Sequence, residues 1–531
     1  MERLDFSGIH IAAAAYALLS SIAAALVNRH VPLPYMDEPF HVPQTQQYCR
    51  GVWDAWDPKI TTLPGLYLLG AAQARVLGAV QRMAQQSGWL TQQWPWLAGV
   101  QEDLGCSTMS LRGLNLMLGV ACVYVLYWVL EDSRLPAALP PSPAAAAATT
   151  QPEACSPTPI RQSWSWAPAS STLWAVTLAS LPLHWSYTYL YYTDVGATLF
   201  LLCCYWQAHR GRPIIAGLAA ALAVMFRQTN AVWVAFVAGT VALKVVGANH
   251  ATGSPSRRAE PDVRGPLNRD PARHTSPYPA RPMLSHAMRE VGNFSAALWR
   301  CRMALLRQLW PLVLIVLVFA AFLVVNGGVA LGDKAAHQPV RHPAQLAYFC
   351  LFAASILGPA VLPVVGSAAG AGTDYPMRAV LFSAAALWLS RWCLTHGPGP
   401  HPYLLADNRH FTFYIWRKLL AKQSGVWSLL VGPGAGLSGL VLVHGLLQRQ
   451  SGLWVAGWAV CTAVVLVPAW LLEFRYFTAP FLMLALHLPR PPRLHVWTTL
   501  AMYVTLNSCT LYLFLCKPFA WADGSQGRFM W

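Results

Sequence analysis

Runs of apolar residues long enough to cross a lipid bilayer recur from one end of this 531-residue chain to the other. A hydrocarbon core about 30 Å thick takes roughly 20 apolar residues as a helix. In lipid the backbone must satisfy its own hydrogen bonds, so a helix is the default for each run. Spans are readable near 8–28, 111–130, 170–191, 195–208, 212–226, 230–248, 308–326, 344–366, 378–394, 426–446, 452–472, 476–489 and 494–516. The expectation is an all-α polytopic membrane protein with about 13 transmembrane helices. Composition agrees: 11% of residues are charged, against about 25% in soluble domains.

The net charge is +16, yet nucleic acid is not the expected partner. Arginine sits in loops, and no basic patch is interleaved with aromatics in the manner of single-strand binders. Basic loops of a membrane protein report topology. The 12 cysteines show no CxxC spacing, so neither a metal site nor a disulfide framework is read from them. Cys49 and Cys106 fall in one expected loop and are either bridged or two free thiols. Residues 8–28 have the look of a signal peptide, but many spans follow, so a retained first helix is expected.

The segment 63–80, LPGLYLLGAAQARVLGAV, decides the orientation of everything after it. It is apolar but holds Gln73 and Arg75. If it lies flat in the interface, with the N-terminus cytosolic, the cytosolic loops collect Arg134, QAHRGRP (207–213), the stretch 249–305, LLQRQS (446–451) and LPRPPR (488–493). The 249–305 stretch carries nine Arg against four acids. That fits the positive-inside rule, so the interfacial reading is preferred. The loop 401–418 is a basic exception with interleaved aromatics. One transmembrane domain spans 1–531, and 135–162 and 249–305, rich in Ala, Pro, Ser and Arg, are expected to be disordered cytosolic linkers. The sequon at Asn293 would then face the cytosol unmodified.

On this topology the unusual polar stretches share one side: MDEPFHVPQTQQYC (36–49), WDPKITTLPG (56–65), LYYTDVG (190–196), FRQTN (226–230), NGGVALGDKAAHQPVRHPAQL (326–346), HPYLLADNRHFTFYIW (401–416) and LLEFRYF (471–477). Acids alone would suit a cation path and bases alone an anion site. Both together suit a reaction with a general base and a clamp for a phosphate leaving group. Sugar transfer from a lipid phosphate to a hydroxyl is such a reaction. The departing phosphate needs no acid, and one carboxylate takes the proton of the attacking hydroxyl. Burial among aromatics is expected to raise the pKa of that carboxylate.

The strings YMDEPFHVPQ, WDPKITTLPGLYL, LYYTDVG, FRQTN, GDKAAH, HPYLLADNRHFTFYIWR and FRYF resemble, in order, motifs of the eukaryotic dolichyl-phosphate-glucose-dependent α-1,2-glucosyltransferases. The likeness covers nearly the whole chain outside the two linkers. HPYLLADNRHFTFYIWR is specific by itself, whereas a lone DE is weak. The resemblance implies a type C glycosyltransferase (GT-C) fold with luminal juxtamembrane helices in the endoplasmic reticulum membrane. It implies dolichyl phosphate glucose as donor and a diglucosylated dolichyl-diphosphate-linked oligosaccharide as acceptor. Pro39 departs from the family, which usually has a bulky apolar residue there.

Asp37 is the candidate base, although it could instead cap the helix beginning near Pro39. Glu38, the second candidate catalytic acid, would orient Asp37 or bind acceptor sugar; otherwise it is a first-turn acid favoured by the helix dipole. Candidate phosphate ligands are Arg409, His410, Lys334, His337, Arg475 and Arg227. The alternatives are snorkelling for Arg227, a solvated loop for Lys334, His337, His342 and Asp333, and an internal pair with Glu473 for Arg475. Candidate acceptor or sugar contacts are Asp194, Tyr192, His41, Asp407, Asn408 and Tyr414, with aromatic faces available to sugar rings. Asp194 could equally be a helix-end residue in the aromatic belt. Inversion by direct displacement is expected, with no cofactor and no metal. A transporter would place polar groups in broken helices at the midplane, often in paired repeats, and no repeat is found. Another dolichyl-phosphate-sugar transferase remains the nearer rival.

Overall fold

The computed structural model describes residues 2–86, 105–133, 168–252, 296–334, 337–374, 376–396, 398–420, 431–521 and 524–531. Among the described residues the architecture is all-α apart from one two-stranded hairpin. The first long helices are α1 (Glu2–His30), α2 (Glu38–Cys49), α3 (Gly65–Gln86), α4 (Thr108–Asp132) and α5 (Ser171–Ala179). The middle of the chain forms α6 (Thr193–His209), α7 (Pro213–Phe226), α8 (Asn230–Thr252), α9 (Arg302–Asn326), α10 (Ala344–Leu357) and α11 (Leu362–Asp374). Then come α12 (Pro376–Thr395), α13 (Gly432–Leu447), α14 (Gly452–Leu466), α15 (Thr478–His487) and α16 (Arg493–Cys516). The hairpin pairs β1 (Phe519–Ala520) with β2 (Gln526–Gly527).

Among the described residues six stretches are long and apolar enough to cross a membrane: Gly8–His30, Thr108–Asp132, Asn230–Gly247, Arg302–Asn326, Ala344–Thr373 and Arg493–Cys516. Several other expected spans are shorter apolar helices, including α7, α13 and α14. The expected span 170–191 is not one helix. α5 stops at Ala179, a short helix runs Pro182–Ser186, and a 3-10 turn covers Tyr187–Tyr189. Pro182 lacks an N–H and cannot continue the α5 ladder. The freed carbonyls are met from neighbouring helices, as a break at membrane depth requires. The Asn507 amide donates to the Ser180 carbonyl, and the Asn115 amide donates to those of Tyr187, Leu190 and Tyr192. The span expected at 344–366 bends at Gly358, where φ is +52°. There Thr499 and Tyr503 of α16 donate to the carbonyls of Leu357 and Ile356. These polar residues in α4 and α16 are therefore braces for irregular backbone.

One mouth of the bundle gathers the end of α1, all of α2, the starts of α4 and α6, and the α7–α8 connection. α3 runs along this mouth. The Tyr191 hydroxyl donates to the Leu66 carbonyl, and the Gln73 amide donates to that of Ser110 at 3.1 Å. Gly70 packs against Tyr191 and Thr45, where a Cβ would collide. Cys49 and Cys106 are joined by a disulfide that ties the end of α2 to the residues before α4. The chain after α16 returns to the same mouth, so the two ends of the described chain lie on opposite sides of the bundle. At the other mouth, Arg490 donates to Ser171 and to the Leu130 carbonyl, and Lys244 donates to the His209 carbonyl. The expected linker 135–162 and Asn293 lie outside the described residues. Of the linker expected at 249–305, residues 249–252 end α8 and 302–305 begin α9.

Candidate functional site

The turn between α1 and α2 aims its acids in two directions. Met36 is held at φ +61°, a left-handed conformation uncommon for a side chain of this kind. Such conformations persist where the surroundings fix them, and they cluster at functional sites. Asp37 follows at the N-cap of α2, with Pro39 in the first turn, yet its side chain makes no capping hydrogen bond. Its backbone N–H donates to the Tyr192 hydroxyl at 3.0 Å. The carboxylate is 37% exposed, and Arg475 Nη1 lies 3.0 Å from its Oδ2. The capping alternative for Asp37 is thus not what the side chain does.

Glu38, one residue on, is sealed at 0% exposure against Arg112, also at 0%. The two pair through Nε–Oε1 at 2.8 Å and Nη2–Oε2 at 2.6 Å. Oε1 also accepts from the Tyr191 N–H and Oε2 from that of Tyr35. Arg112 donates further to Asn28 and to the carbonyls of Val31 and Leu33. A bidentate pair with every lone pair occupied can exist without water. Contrary to expectation, Glu38 has no surface for acceptor sugar. It braces α1, α2, α4 and the segment before α6 into one junction. Arg112 was not among the candidates. An arginine in the first turn of an otherwise apolar span was the signal, because such a charge requires a partner.

Arg475 stands between two acids. Its Nε is 2.7 Å from Glu473 Oε1, so the internal pair exists and Asp37 is a second partner. Beside it, Arg227 binds Asp194 at 2.6 Å and lies over the Tyr476 ring at 5.3 Å. Arg227 therefore has a specific partner as well as a membrane-boundary position. Oδ2 of Asp194 and Oε2 of Glu473 are buried with no hydrogen-bond partner among the described residues. His41 pairs its Nδ1 with the Tyr67 hydroxyl at 2.7 Å and meets Tyr192 edge-on. Tyr192 itself is 2% exposed, so it supports Asp37 from below and offers the acceptor no face.

The electrostatics differ from the expectation. Burial acts to raise the Asp37 pKa, but Arg475, His41 and His410 outweigh it and hold the carboxyl below its ordinary value. Burial lowers the pKa of His41; Arg475 lowers it further, and Asp37 opposes both. For Arg475, burial acts against the charge, and Glu473 and Asp37 more than restore it.

The remaining candidates divide into near and far. His410 is close enough to act on Asp37. Arg409 is clamped by Asp407 through Nε at 2.8 Å and Nη2 at 2.7 Å, and His410 lies 3.7 Å from the same carboxylate. For the Asp407 carboxyl, burial acts upward, and Arg409 and His410 bring it below its ordinary value. Tyr414 packs on Phe413 and Phe529, and Asn408 lines a neighbouring cleft. Lys334 and His337 sit on a loop whose backbone pairs with Pro58, Ile60 and Thr61. Lys334 gives its ammonium to Asn326, and His337 lies 4.0 Å from Asp333. No contact from these two reaches Asp37 among the described residues. His342 Nδ1 meets the carbonyls of Ala469 and Trp470, a support for the segment leading to Glu473.

The fold and this cluster define a multi-pass α-helical membrane protein whose mixed-charge site lies at one mouth of the bundle. The model of the DIE2/ALG10 family matches residues 31–486. A rat protein described as Dol-P-Glc:Glc(2)Man(9)GlcNAc(2)-PP-Dol alpha-1,2-glucosyltransferase is 32% identical over 97% of this chain and 96% of its own length. Proteins of the same description from Arabidopsis thaliana and Yarrowia lipolytica are 30% and 27% identical, covering 95% and 97% of this chain and 96% and 97% of their own lengths. The chain belongs to the DIE2/ALG10 family, and it is a membrane glycosyltransferase.

Proposed function

We propose that this protein transfers glucose in α-1,2 linkage from dolichyl phosphate glucose to the diglucosylated lipid-linked oligosaccharide. The reading rests on the activity ascribed to relatives aligned over nearly the whole chain. For the chemistry, one observation carries it: Asp37 is a partly open carboxylate that caps nothing and touches Arg475. The bundle would be a GT-C fold of about 13 crossings with α2 and α3 as juxtamembrane helices. The mouth that holds Asp37 would face the lumen of the endoplasmic reticulum. The Cys49–Cys106 bridge supports that side, because disulfides belong to oxidising compartments.

The acceptor hydroxyl gives its proton to Asp37 as its oxygen attacks the anomeric carbon. The bond from that carbon to the phosphate oxygen breaks, dolichyl phosphate leaves, and a β-linked donor gives an α product. Asp37 becomes neutral as the phosphate gains charge, so Arg475 loses one partner as another appears. Arg475 is thereby a clamp that strengthens during the reaction. Arg227 is the second cation within reach, and the unpartnered oxygens of Asp194 and Glu473 are acceptors for sugar hydroxyls.

The test uses purified protein, radiolabelled dolichyl phosphate glucose and the diglucosylated acceptor. Wild type is expected to transfer glucose, with a mannosyl donor and a monoglucosylated acceptor as specificity controls. Asp37→Asn is expected to lose transfer while remaining folded. Full activity of that variant would remove Asp37 as the base.

A further inference from the structure

The chain beyond α16 is used neither by the family match, which ends at residue 486, nor by the cluster around Asp37. It nevertheless forms a strap across the catalytic mouth. The β1–β2 hairpin leads to Arg528, whose backbone N–H donates to the Tyr35 hydroxyl at 2.6 Å. That hydroxyl also reaches the Arg528 carbonyl at 3.0 Å, and Tyr35 is two residues from Asp37. Met530 donates its N–H to the Arg409 carbonyl, and His410 Nδ1 meets the backbone oxygen of Trp531 at 2.9 Å. Phe411 packs on Phe529 and Trp531. The strap thus fastens the 401–416 loop to the turn that carries Asp37.

Between strap and loop lies an open cleft of about 430 Å³, lined by the rings of Phe413, Phe519 and Trp521, by Leu405, Ala406 and Ala520, and by Asn408. Its volume is in the range of small-molecule sites, roughly 300–1,000 Å³. The Arg409 guanidinium covers the Trp521 ring at 4.9 Å, so that ring is held in place. Flat aromatic walls beside an amide suit a ring with an apolar face and hydroxyls at its rim. Phe519, Ala520 and Trp521 follow α16 rather than lying within it, so the cleft lies past the end of that apolar helix.

We propose that this cleft is an acceptor subsite, holding a hexose ring of the lipid-linked glycan at a distance from the hydroxyl that reacts at Asp37. The proposal rests on the function proposed above and names where that acceptor docks.

The experiment uses full-length Trp521→Ala, Asn408→Ala and Trp521→Phe in two assays. The first varies each substrate with the other saturating. Trp521→Ala is expected to raise KM for the acceptor about tenfold, the order of one aromatic contact. The donor KM and kcat should stay within about twofold. Asn408→Ala should move in the same direction by a smaller factor, and Trp521→Phe should restore most of the loss. The second assay measures binding of a fluorescent diglucosylated acceptor in detergent without donor, where Trp521→Ala should bind about tenfold more weakly. An acceptor KM unchanged in folded Trp521→Ala overturns the proposal. So does a rise confined to the donor KM, which would mark a polyprenyl occupant. Should Trp521→Ala fail to fold, unchanged acceptor binding in Asn408→Ala overturns it instead. Wild type that binds acceptor through Trp521 but transfers no glucose would keep the subsite and discard the glucosyl-transfer reading. Normal transfer with equal binding by both Trp521 variants would do the reverse.

Discussion

Two neighbouring acids meet two arginines in opposite ways. Glu38 and Arg112 are both at 0% exposure and use every lone pair within the protein. Asp37 and Arg475 are 37% and 20% exposed, and Arg475 is shared with a second acid. The sealed pair holds four chain segments at fixed positions. The open pair keeps a carboxylate where substrate can reach it and a cation ready to change partners. Burial thus separates a structural ion pair from a reactive one where residue type cannot.

The largest expected effect is on the open pair. Asp37→Asn should lower turnover by about 10²–10⁴, the usual worth of a positioned base, with the melting temperature little changed. Equal activity and equal melting would abolish the contrast. The sealed pair should answer in stability. Arg112→Met leaves Glu38 buried and alone and should cost about 3–5 kcal/mol, read by thermal melting. The double variant Glu38→Met with Arg112→Met should lose less than the two singles summed, since it removes the unpaired charge. Next, Cys49→Ser with Cys106→Ser should cost about 2–4 kcal/mol by freeing the loop between α2 and α4. Activity of whatever folds should be nearly normal.

A smaller effect concerns pH. The folded Asp37 carboxyl lies below its ordinary value. Its contribution to stability is therefore present above the unfolded value and lost as pH falls through the lower folded one. Asp37 then remains ionised through neutral and mildly acid conditions. In Arg475→Gln, burial loses its main opponent, so the acid limb of kcat/KM should move upward. A limb that stays put would mean that Arg475 does not set the base. The smallest change is Tyr192→Phe, which removes the acceptor of the Asp37 N–H and should cost about 0.5–1.5 kcal/mol, measured as a modest drop in both melting temperature and kcat.

Much of this was legible in the chain. Apolar length placed the principal helices, and the polar strings 36–49, 190–196, 226–230 and 471–477 do converge on one mouth. Gln73 and Arg75 set the expectation that α3 lies flat, and Gln73 bonds the start of α4 at that mouth. Other features were hidden. Pro182 broke the run at 170–191 because hydropathy averages over a helix break that Asn115 and Asn507 repair from elsewhere. Lys334 and His337 share the right side but spend their contacts on their own loop, and charge alone does not report distance. Arg112 has its partner 74 positions away, a pairing that no local pattern marks.

The sequence by itself determined an all-α membrane protein, because backbone in lipid has few other choices, and ordered motifs identified its family. The division of labour between Asp37 and Glu38 was decided only by the tertiary structure. Arg475 is 438 positions from Asp37, and Arg112 is 74 from Glu38. Solvation and pairing of a charge depend on which distant segments enclose it. Here they sealed one acid, left its neighbour open, and lowered a pKa that burial alone would have raised.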